Sequence, residues 1–446
     1  MKDMSRKLTI PKNGLDRKRL LKQMSALKAN DADWRNGRSW SLVYHGGDEH
    51  TRFLKAAYNR YFSENGLSPT AFPSLKKFET EVVAMMLALL GANGDEVGAM
   101  TSGGTESILL AVKTYRDWAR AHRPEVIRPE ILVPESAHPA FLKAAQYFDV
   151  KAVRVALDDQ FRADVKAIAK LCNDQTICII ASAPSFPQGV VDPVAHMGAF
   201  AATRKIGLHV DACLGGFMLP FLGRLGYPVP AFDFQVAGVT SISADLHKYG
   251  YAAKGASAVL YRSAELRRFQ FFVATDWPGG LYGSPTMAGT RPGGAIAAAW
   301  AALMSLGEAG YLKLAEQTMA VTRQLMHGIE AIEGFYIIGR PDMSVFTFTS
   351  ADLDIFAVSD RMLAKGWRLD RQKNPDCLHM IVTPNHEQAV KPFLADLREA
   401  AEQVRRKPLS DGQKQHAMLY GVTADVPADG DLQSYLYAHM DNLYQT

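Results

Sequence analysis

The stretch Thr240–Gly255 reads TSISADLHKYGYAAKG and places Lys248 just after an apolar segment. Residues Val239–Ser243 have the composition of a buried strand. A lysine is seldom buried without a specific role, and lysine amines form Schiff bases with carbonyl groups when their surroundings lower their pKa. A lysine in a surface loop is the common alternative, but Tyr249-Gly250-Tyr251 follow this one. The stretch therefore predicts a reactive lysine at the end of a strand.

Short apolar runs and helical patterns alternate on both sides of this stretch. Helices are predicted at Phe78–Leu90 and Thr105–Ala121. Strands are predicted at Ile131–Val133, Ala152–Val155, Ile177–Ala181, Leu208–Val210, Val239–Ser243 and Ser257–Tyr261. This alternation predicts an α/β fold, with a mainly parallel sheet that is covered on both faces.

The pattern changes beyond Thr290. Helices are predicted at Ile296–Leu306, Leu312–Ile332 and Pro392–Arg405, and strands near Tyr336–Ile338, Ser344–Thr349 and His379–Val382. This succession predicts a smaller C-terminal α+β domain. We therefore expect an N-terminal arm over residues 1–60, a large domain over 61–310 and a small domain over 311–446.

Composition excludes several classes of protein. The 446 residues are 48% hydrophobic and 22% charged, which is typical of globular proteins. The net charge of +4 is too small to indicate a nucleic-acid partner. The four cysteines form no CxxC pair and no disulfide framework, and we predict no metal site. Because neither a signal peptide nor an apolar run of about 18 residues occurs, we expect no transmembrane segment and a soluble, cytoplasmic protein.

A glycine-rich segment, Thr101–Ser107 (TSGGTES), directly precedes a predicted helix. Gly103 and Gly104 let the backbone approach a ligand closely, and the free N–H groups of a helix start attract anions. A turn with Thr or Ser as the helix N-cap is the alternative, and it is the better interpretation for such a segment alone.

Two further polar residues follow predicted strands. His138 comes after Ile131–Val133, where an imidazole could stack on a flat ring, although an ordinary loop histidine is the alternative. Asp211 closes the strand Leu208–Val210, and ligands of open α/β sheets bind at such strand ends. Capping of the next turn is the alternative for Asp211. Since a buried carboxylate is costly unless it is paired, we expect a cationic partner for Asp211.

Together these groups are more specific than any one of them. Pyridoxal phosphate needs an anion cradle for its phosphate, a flat group against its ring, a carboxylate at its ring nitrogen and a lysine for its aldehyde. The glycine segment, His138, Asp211 and Lys248 supply these groups in that order. The interval from Asp211 to Lys248 leaves room for a crossover between neighbouring strands. The sequence therefore predicts a pyridoxal-phosphate enzyme.

Four segments resemble those of fold-type-I pyridoxal-phosphate enzymes related to the group II decarboxylases, and most of all the sphingosine-1-phosphate lyase family. They are 101–110 (TSGGTESILL), 210–217 (VDACLGGF), 240–255 and 271–294 (FFVATDWPGGLYGSPTMAGTRPGG). Amino-acid decarboxylases share the VDA and HK elements but usually lack the runs YGYAxKG and DWPGG…SPTMAG. The resemblance extends from about Leu15 to the C-terminus.

The resemblance implies roles for individual residues. Lys248 forms the Schiff base, His138 stacks on the cofactor ring and Asp211 pairs with its nitrogen. The cofactor phosphate is held by Gly103, Gly104, Thr105 and His247. In a homodimer with shared active sites, Gly283 and Ser284 reach the cofactor of the neighbouring subunit.

The resemblance also implies residues that act on the substrate. Tyr44, Lys254 and Tyr420 are candidates for proton transfer, and Lys254 is also placed to bind the substrate phosphate. Asn65 and Ser68 lie where the family has an Asn-Pro-Leu-His run, and here the run reads Asn-Gly-Leu-Ser. Ser68 thus replaces a histidine, and a hydroxyl donates a hydrogen bond but carries no positive charge.

The activity that the resemblance implies is retro-aldol cleavage of a phosphorylated long-chain (sphingoid) base into a long-chain aldehyde and phosphoethanolamine. A pyridoxal-phosphate-dependent amino-acid decarboxylase is the nearest alternative. A non-catalytic scaffold with this fold and a plain phosphate- or nucleotide-binding module are the others.

Overall fold

The computed structural model describes residues 9–406, 418–419, 422–423 and 432–444. Its centre is a seven-stranded sheet in the order β1-β7-β6-β5-β4-β2-β3. The strands are β1 Val97–Thr101, β2 Glu130–Pro134, β3 Lys151–Val155, β4 Thr176–Ser182, β5 Gly207–Asp211, β6 Ser241–Ala244 and β7 Ser257–Tyr261. Only β7 runs antiparallel to its neighbours in this sheet. The predicted mainly parallel α/β sheet is confirmed.

Helices cover the sheet and continue beyond it. Their bounds are α1 Arg17–Leu27, α2 Asp48–Arg60, α3 Pro73–Leu89, α4 Gly104–His122, α5 Ala140–Phe148, α6 Val165–Leu171, α7 Val194–Arg204, α8 Leu219–Arg224, α9 Ala264–Arg267, α10 Gly293–Glu330, α11 Ile355–Ala364, α12 Val390–Arg406 and α13 Leu432–Leu443. Because helices lie on both faces, every residue of β2, β4, β5, β6 and β7 is buried.

A second, antiparallel sheet of four strands follows in the order β10-β11-β13-β12. Its strands are β10 Phe335–Ile337, β11 Val345–Ser350, β12 Asp370–Gln372 and β13 Cys377–Ile381. This small sheet shares an apolar core with α11 and α12, which confirms the expected α+β region. Two hairpins complete the strands, β8 Phe272–Ala274 with β9 Tyr282–Ser284, and β14 Met418–Leu419 with β15 Val422–Thr423.

Helix α10 replaces the two helices that the sequence predicts at Ile296–Leu306 and Leu312–Ile332. Gly307 interrupts it with a left-handed backbone (φ 56°), and the chain resumes helical geometry beyond. The helix is long and apolar enough to cross a membrane, but half of its most apolar stretch is buried inside the protein. Core helices meet the same length and composition criterion, so this feature is weak evidence for a span.

A chain of buried polar groups connects α4 to the end of β5. The hydroxyl of Tyr115 lies 2.6 Å from Ser241 Oγ, which lies 2.7 Å from His209 Nδ1. His209 Nε2 lies 3.2 Å from Ser243 Oγ, and this hydroxyl donates to Asp211 Oδ1 at 3.3 Å. Buried polar groups need such partners. Complete burial lowers the pKa of His209 to about 4, so its imidazole is neutral in the folded protein.

Acid should therefore weaken the fold through His209. Its pKa is about 4 in the folded protein and near 6.5 when unfolded. The stability that the neutral ring provides is complete above pH 6.5 and falls as the pH drops towards 4, by about 1.4 kcal/mol per pH unit. We expect His209→Asn to have a lower free energy of unfolding than wild type at pH 7.5. Between pH 7 and 4, however, its free energy of unfolding should fall by about 3 kcal/mol less than that of wild type. Urea denaturation at both pH values measures this, and equal losses in the two proteins would contradict it.

Candidate active site

Three predicted site residues lie at the carboxyl ends of parallel strands of the seven-stranded sheet. His138 follows β2, Asp211 ends β5 and Lys248 follows β6. Asp211 pairs in register with Ser243 of β6, five residues before Lys248. Since the ends of parallel strands meet at one edge of a sheet, the topology brings distant parts of the sequence together.

A tight turn after β6 holds Lys248. Tyr251 has a left-handed backbone (φ 51°), and its N–H donates to the carbonyl of Lys248 at 2.9 Å. A Cβ on Gly250 would lie 2.5 Å from the Leu246 carbonyl oxygen, so only glycine fits there. The run Tyr249-Gly250-Tyr251 therefore shapes the turn that fixes the lysine.

Lys248 forms a buried ion pair that the sequence analysis did not identify. Its Nζ lies 3.0 Å from Asp245 Oδ2, and the Asp245 side chain is only 1% exposed. Burial is the largest single influence and lowers the pKa of Lys248, but the combined attraction of nearby groups, above all the Asp245 carboxylate, raises the pKa well above its ordinary value. Burial alone would raise the pKa of Asp245, but Lys248 and His247 keep it below its usual range.

The start of α4 packs directly against this ion pair. A Cβ on Gly104 would lie 3.0 Å from both Asp245 carboxylate oxygens, and one on Gly103 would lie 3.3 Å from the His247 ring. Thr105 follows in the first turn, where helical N–H groups have no partner within the helix. Glu106 holds this segment in place, because its carboxylate accepts hydrogen bonds from the N–H groups of Ser102 and Met287.

Both histidines of the site are neutral. Burial lowers the pKa of His138, and it lowers that of His247 to about 4. The Nδ1 atom of His138 accepts from the N–H of Ala140 at 3.1 Å, and that of His247 accepts from Ala256 at 3.2 Å. Each ring therefore carries its proton on Nε2.

The structure shows which groups of the chain hold Asp211, and the cationic partner expected for it stays a prediction. Its Oδ1 accepts from the N–H of Cys213 at 3.1 Å and from Ser243 Oγ at 3.3 Å. Within the part of the chain that the structure describes, no cation forms a salt bridge with it, and Lys248 pairs with Asp245 instead. A backbone amide and a hydroxyl are enough to hold this buried carboxylate.

Tyr44, Lys248 and Lys254 meet at one cavity of about 180 Å³. The other residues that line it are Ser41, Leu42, Phe186, Leu214, Asp370 and Ile381. Lys254 Nζ lies 5.1 Å above the ring of Tyr44 and donates to the His247 carbonyl at 3.3 Å. Burial, and to a smaller extent Lys248, lowers the pKa of Lys254 to about 8, so its amine is partly neutral near physiological pH.

Four other predicted residues lie away from this cavity in the single chain. Asn65 pairs with Pro292, and Ser68 Oγ lies 3.3 Å from Thr70 Oγ1. Gly283 and Ser284 belong to β9. Their roles at a site shared between subunits stay a prediction, as does that of Tyr420, which lies outside the described residues.

Two acidic residues near Lys248 carry no role in the sequence analysis. Asp245 stands three positions before Lys248, and this spacing was the one local signal that could have found it. Asp370 belongs to β12 of the small sheet, and only the folded chain brings it to the cavity.

The residues fit pyridoxal phosphate. Gly103 and Gly104 at the start of α4 have no side chain that could block an anion, and Lys248 offers its amine at the same edge of the sheet. Asp245 Oδ1 is buried without a hydrogen-bond partner among the described residues, so this oxygen retains an unused capacity to accept a hydrogen bond. The neutral His138 and the buried Asp211 complete the set of groups that the cofactor needs.

Comparison with known proteins agrees with this site. Residues 54–350 match the family model described as the pyridoxal-dependent decarboxylase conserved domain. The glutamate decarboxylase of Lactobacillus brevis superposes with a TM-score of 0.79 over 91% of this chain and 96% of that structure. At 20% identity this likeness shows the fold alone.

Other relatives are more similar in sequence. Sphingosine-1-phosphate lyase of Arabidopsis thaliana is 47% identical, over 95% of this chain and 79% of the relative. The rat sphingosine-1-phosphate lyase 1 is 42% identical, over 98% and 77%. The solved structure of the Burkholderia pseudomallei sphingosine-1-phosphate lyase superposes with a TM-score of 0.90, at 37% identity, over 100% of this chain and 98% of that one. The chain therefore belongs to the sphingosine-1-phosphate lyase family of pyridoxal-dependent enzymes.

Proposed function

We propose that this chain cleaves phosphorylated sphingoid bases, with pyridoxal phosphate as cofactor, into a long-chain aldehyde and phosphoethanolamine. The observation that carries the proposal is the meeting of Lys248, Lys254 and Tyr44 at one cavity beside an anion-binding helix start. The relatives from Arabidopsis thaliana and rat bear the name of this activity, and they match nearly the whole chain.

Different residues would bind different parts of the cofactor. Lys248 would hold its aldehyde, the helix start at Gly103–Thr105 and His247 would hold its phosphate, and Asp211 would pair with its ring nitrogen. His138, being neutral, would stack on the ring without adding charge. When bound, pyridoxal phosphate supplies an electron sink that stabilises negative charge on the substrate carbon next to the nitrogen.

Lys254 is the group that we assign to proton transfer. Retro-aldol cleavage needs a base that removes the proton of the substrate hydroxyl as the carbon–carbon bond breaks. A base works best when its pKa lies near the working pH, and the lowered pKa of Lys254 meets this condition. Tyr44 lies under its ammonium group and helps to hold Lys254 in place.

An amino-acid decarboxylase is the main rival function. It needs a cation that binds the α-carboxylate of its substrate, and release of carbon dioxide from an amino acid would support it. A non-catalytic scaffold has no use for a buried lysine on a strained turn or for a neutral histidine beside a buried carboxylate. A phosphate- or nucleotide-binding module needs neither Asp211 nor Lys248.

We also propose that the active enzyme is a homodimer that shares its sites. The segment 271–287 exposes large apolar side chains, including Val273, Trp277 and Leu281, and α1 exposes Leu21, Met24 and Leu27. Exposed apolar surface of this extent is typical of contact surfaces. The segment is tied to the helix start of its own chain through Met287 and Glu106, so a partner bound there would lie near the site.

The four cysteines are free thiols, which fits the reducing setting of the cytoplasm that we propose for the chain.

Replacement of Lys248 by alanine should abolish both cofactor attachment and turnover. The purified wild type, supplied with pyridoxal phosphate, should show an absorption band at the short-wavelength end of the visible range. It should also release phosphoethanolamine from a phosphorylated sphingoid base. Lys248→Ala should lack both, whereas Lys254→Ala, which leaves Lys248 in place, should keep the band. A Lys248→Ala protein with wild-type turnover would refute the assignment.

The pH dependence of the reaction should report the titration of Lys254. With a pKa of about 8, the neutral amine becomes the main form as the pH rises from 7 to 9, so kcat/KM should rise by about tenfold. Lys254→Arg stays charged, so its kcat/KM should be about a hundredfold lower and flat over this range. A wild-type kcat/KM that falls from pH 7 to 9 would mean that the charged amine is required, as for phosphate binding.

Leu281 is a suitable position at which to test the dimer because it is 84% exposed in the single chain. Leu281→Asp should shift the mass measured by light scattering from two chains towards one, and activity should fall with it. Ile127→Asp is the control, since Ile127 is 83% exposed near the amino end of β2, at the other end of the strands. Full activity of the wild type at the mass of one chain would contradict the proposal.

A further inference from the structure

The cavity beside Lys248 receives an acidic side chain from the small sheet. Asp370 of β12 and Ile381 of β13 line it together with Lys248 and Lys254. The hydroxyl of Tyr249, the residue after Lys248, donates to the Val382 carbonyl at 2.8 Å. Since this hydrogen bond is buried, it fixes the small sheet, and Asp370 with it, relative to the lysine turn.

The Asp370 carboxylate is available to a ligand. The Asp370 Oδ2 atom lies 3.8 Å from His379 Nδ1, and this distance is too long for a hydrogen bond. His379 Nε2 donates instead to the Phe186 carbonyl at 2.8 Å. Among the described residues, no side chain or amide donates a hydrogen bond to the Asp370 carboxylate, whose side chain is 27% exposed.

We propose that Asp370 determines specificity by disfavouring any substrate that carries a carboxylate on the carbon that bears the amine. This inference rests on the proposed function and adds the substrate selection to it. A phosphorylated amino alcohol brings no negative charge to that carbon, whereas an amino acid does. Like charges repel strongly in a partly buried cavity, because little water screens them.

The cations of the cavity do not cancel this repulsion. Lys248 would be bonded to the cofactor aldehyde. Lys254 donates to the His247 carbonyl and lies over the Tyr44 ring, so its amine already has partners within its own chain. Apart from the hydroxyl-bearing Ser41 and Tyr44, the remaining lining residues are apolar, namely Leu42, Phe186, Leu214 and Ile381, and no further cation lines the cavity.

Two small ligands isolate the effect of this charge. Phosphoethanolamine and O-phosphoserine share the phosphate and the amine, and they differ only in a carboxylate on the amine-bearing carbon. Each can be titrated into the holoenzyme, with the shift of the cofactor absorption band as the readout of binding. This measurement does not depend on turnover.

We expect the wild type to bind phosphoethanolamine at least about tenfold more tightly than O-phosphoserine. Asp370→Asn keeps the shape and removes the charge, so the ratio of the two dissociation constants should narrow by about tenfold, or about 1.4 kcal/mol. The matched control is Asp376→Asn, which removes the same charge from an exposed position of the same region and should leave the ratio unchanged.

An unchanged ratio in Asp370→Asn overturns the inference. So does an equal narrowing in Asp376→Asn, which would indicate a general effect of net charge. A loss of kcat in Asp370→Asn with an unchanged ratio would make Asp370 a proton-transfer group and would also overturn it. Failure of the proposed function is seen separately, as a wild type that binds both ligands but does not cleave a phosphorylated sphingoid base.

Discussion

The buried pair of Asp245 and Lys248 constrains the rest of the site. The Asp245 side chain is 1% exposed and that of Lys248 is 25% exposed, and burial of a carboxylate is costly unless a cation stays beside it. Their 3.0 Å contact therefore fixes the position of the turn after β6. It also explains why α4 must begin with glycine, because a side chain at Gly104 would press on the Asp245 carboxylate. The lysine and the anion-binding helix start are thus parts of one arrangement.

Hydrogen bonds from distant parts of the chain then hold the turn itself. Tyr311 of α10 donates to the Gly250 carbonyl at 2.8 Å, and His50 of α2 lies 3.0 Å from the Tyr251 carbonyl. Tyr249 reaches the small sheet at Val382. Backbone carbonyls that would otherwise be buried without partners are satisfied in this way. The lysine is consequently in place only when both sheets and α10 have assembled around it.

The sequence predicts the parts of this structure that depend on local pattern. The buried strands β2, β4 and β5 could be predicted because each is a short apolar run. The positions of Lys248, Asp211 and His138 at strand ends could be predicted for the same reason, since each follows such a run. Strand β1 (VGAMT) was missed, because its composition is weakly β-forming and its pairing with β7 is long-range.

Other features depend on tertiary contacts and could not be predicted. In the sequence, Asp245 cannot be distinguished from an ordinary loop carboxylate. Its burial depends on the packing of α4 against it. The hydrogen bonds that Asp211 accepts from the Cys213 amide and the Ser243 hydroxyl follow from the pairing of β5 with β6 and the turn after β5. Asp370 stands in a short polar strand, and its place at the cavity follows only from the contact between the two sheets.

The likeness to a glutamate decarboxylase at 20% identity shows that this fold alone does not determine the reaction. The residues proposed to hold the aldehyde, the phosphate and the ring nitrogen all lie at one edge of the large sheet, and such residues would serve any chemistry that starts from the same cofactor. What differs between a lyase and a decarboxylase is the bond that is placed for cleavage, and this depends on which substrate groups the cavity accepts. The small sheet contributes Asp370 and Ile381, an acid and an apolar group, where binding of a carboxylate needs a cation. On the proposal made for Asp370, the choice between the two reactions depends on the charge of the side chain that the small sheet contributes to the cavity.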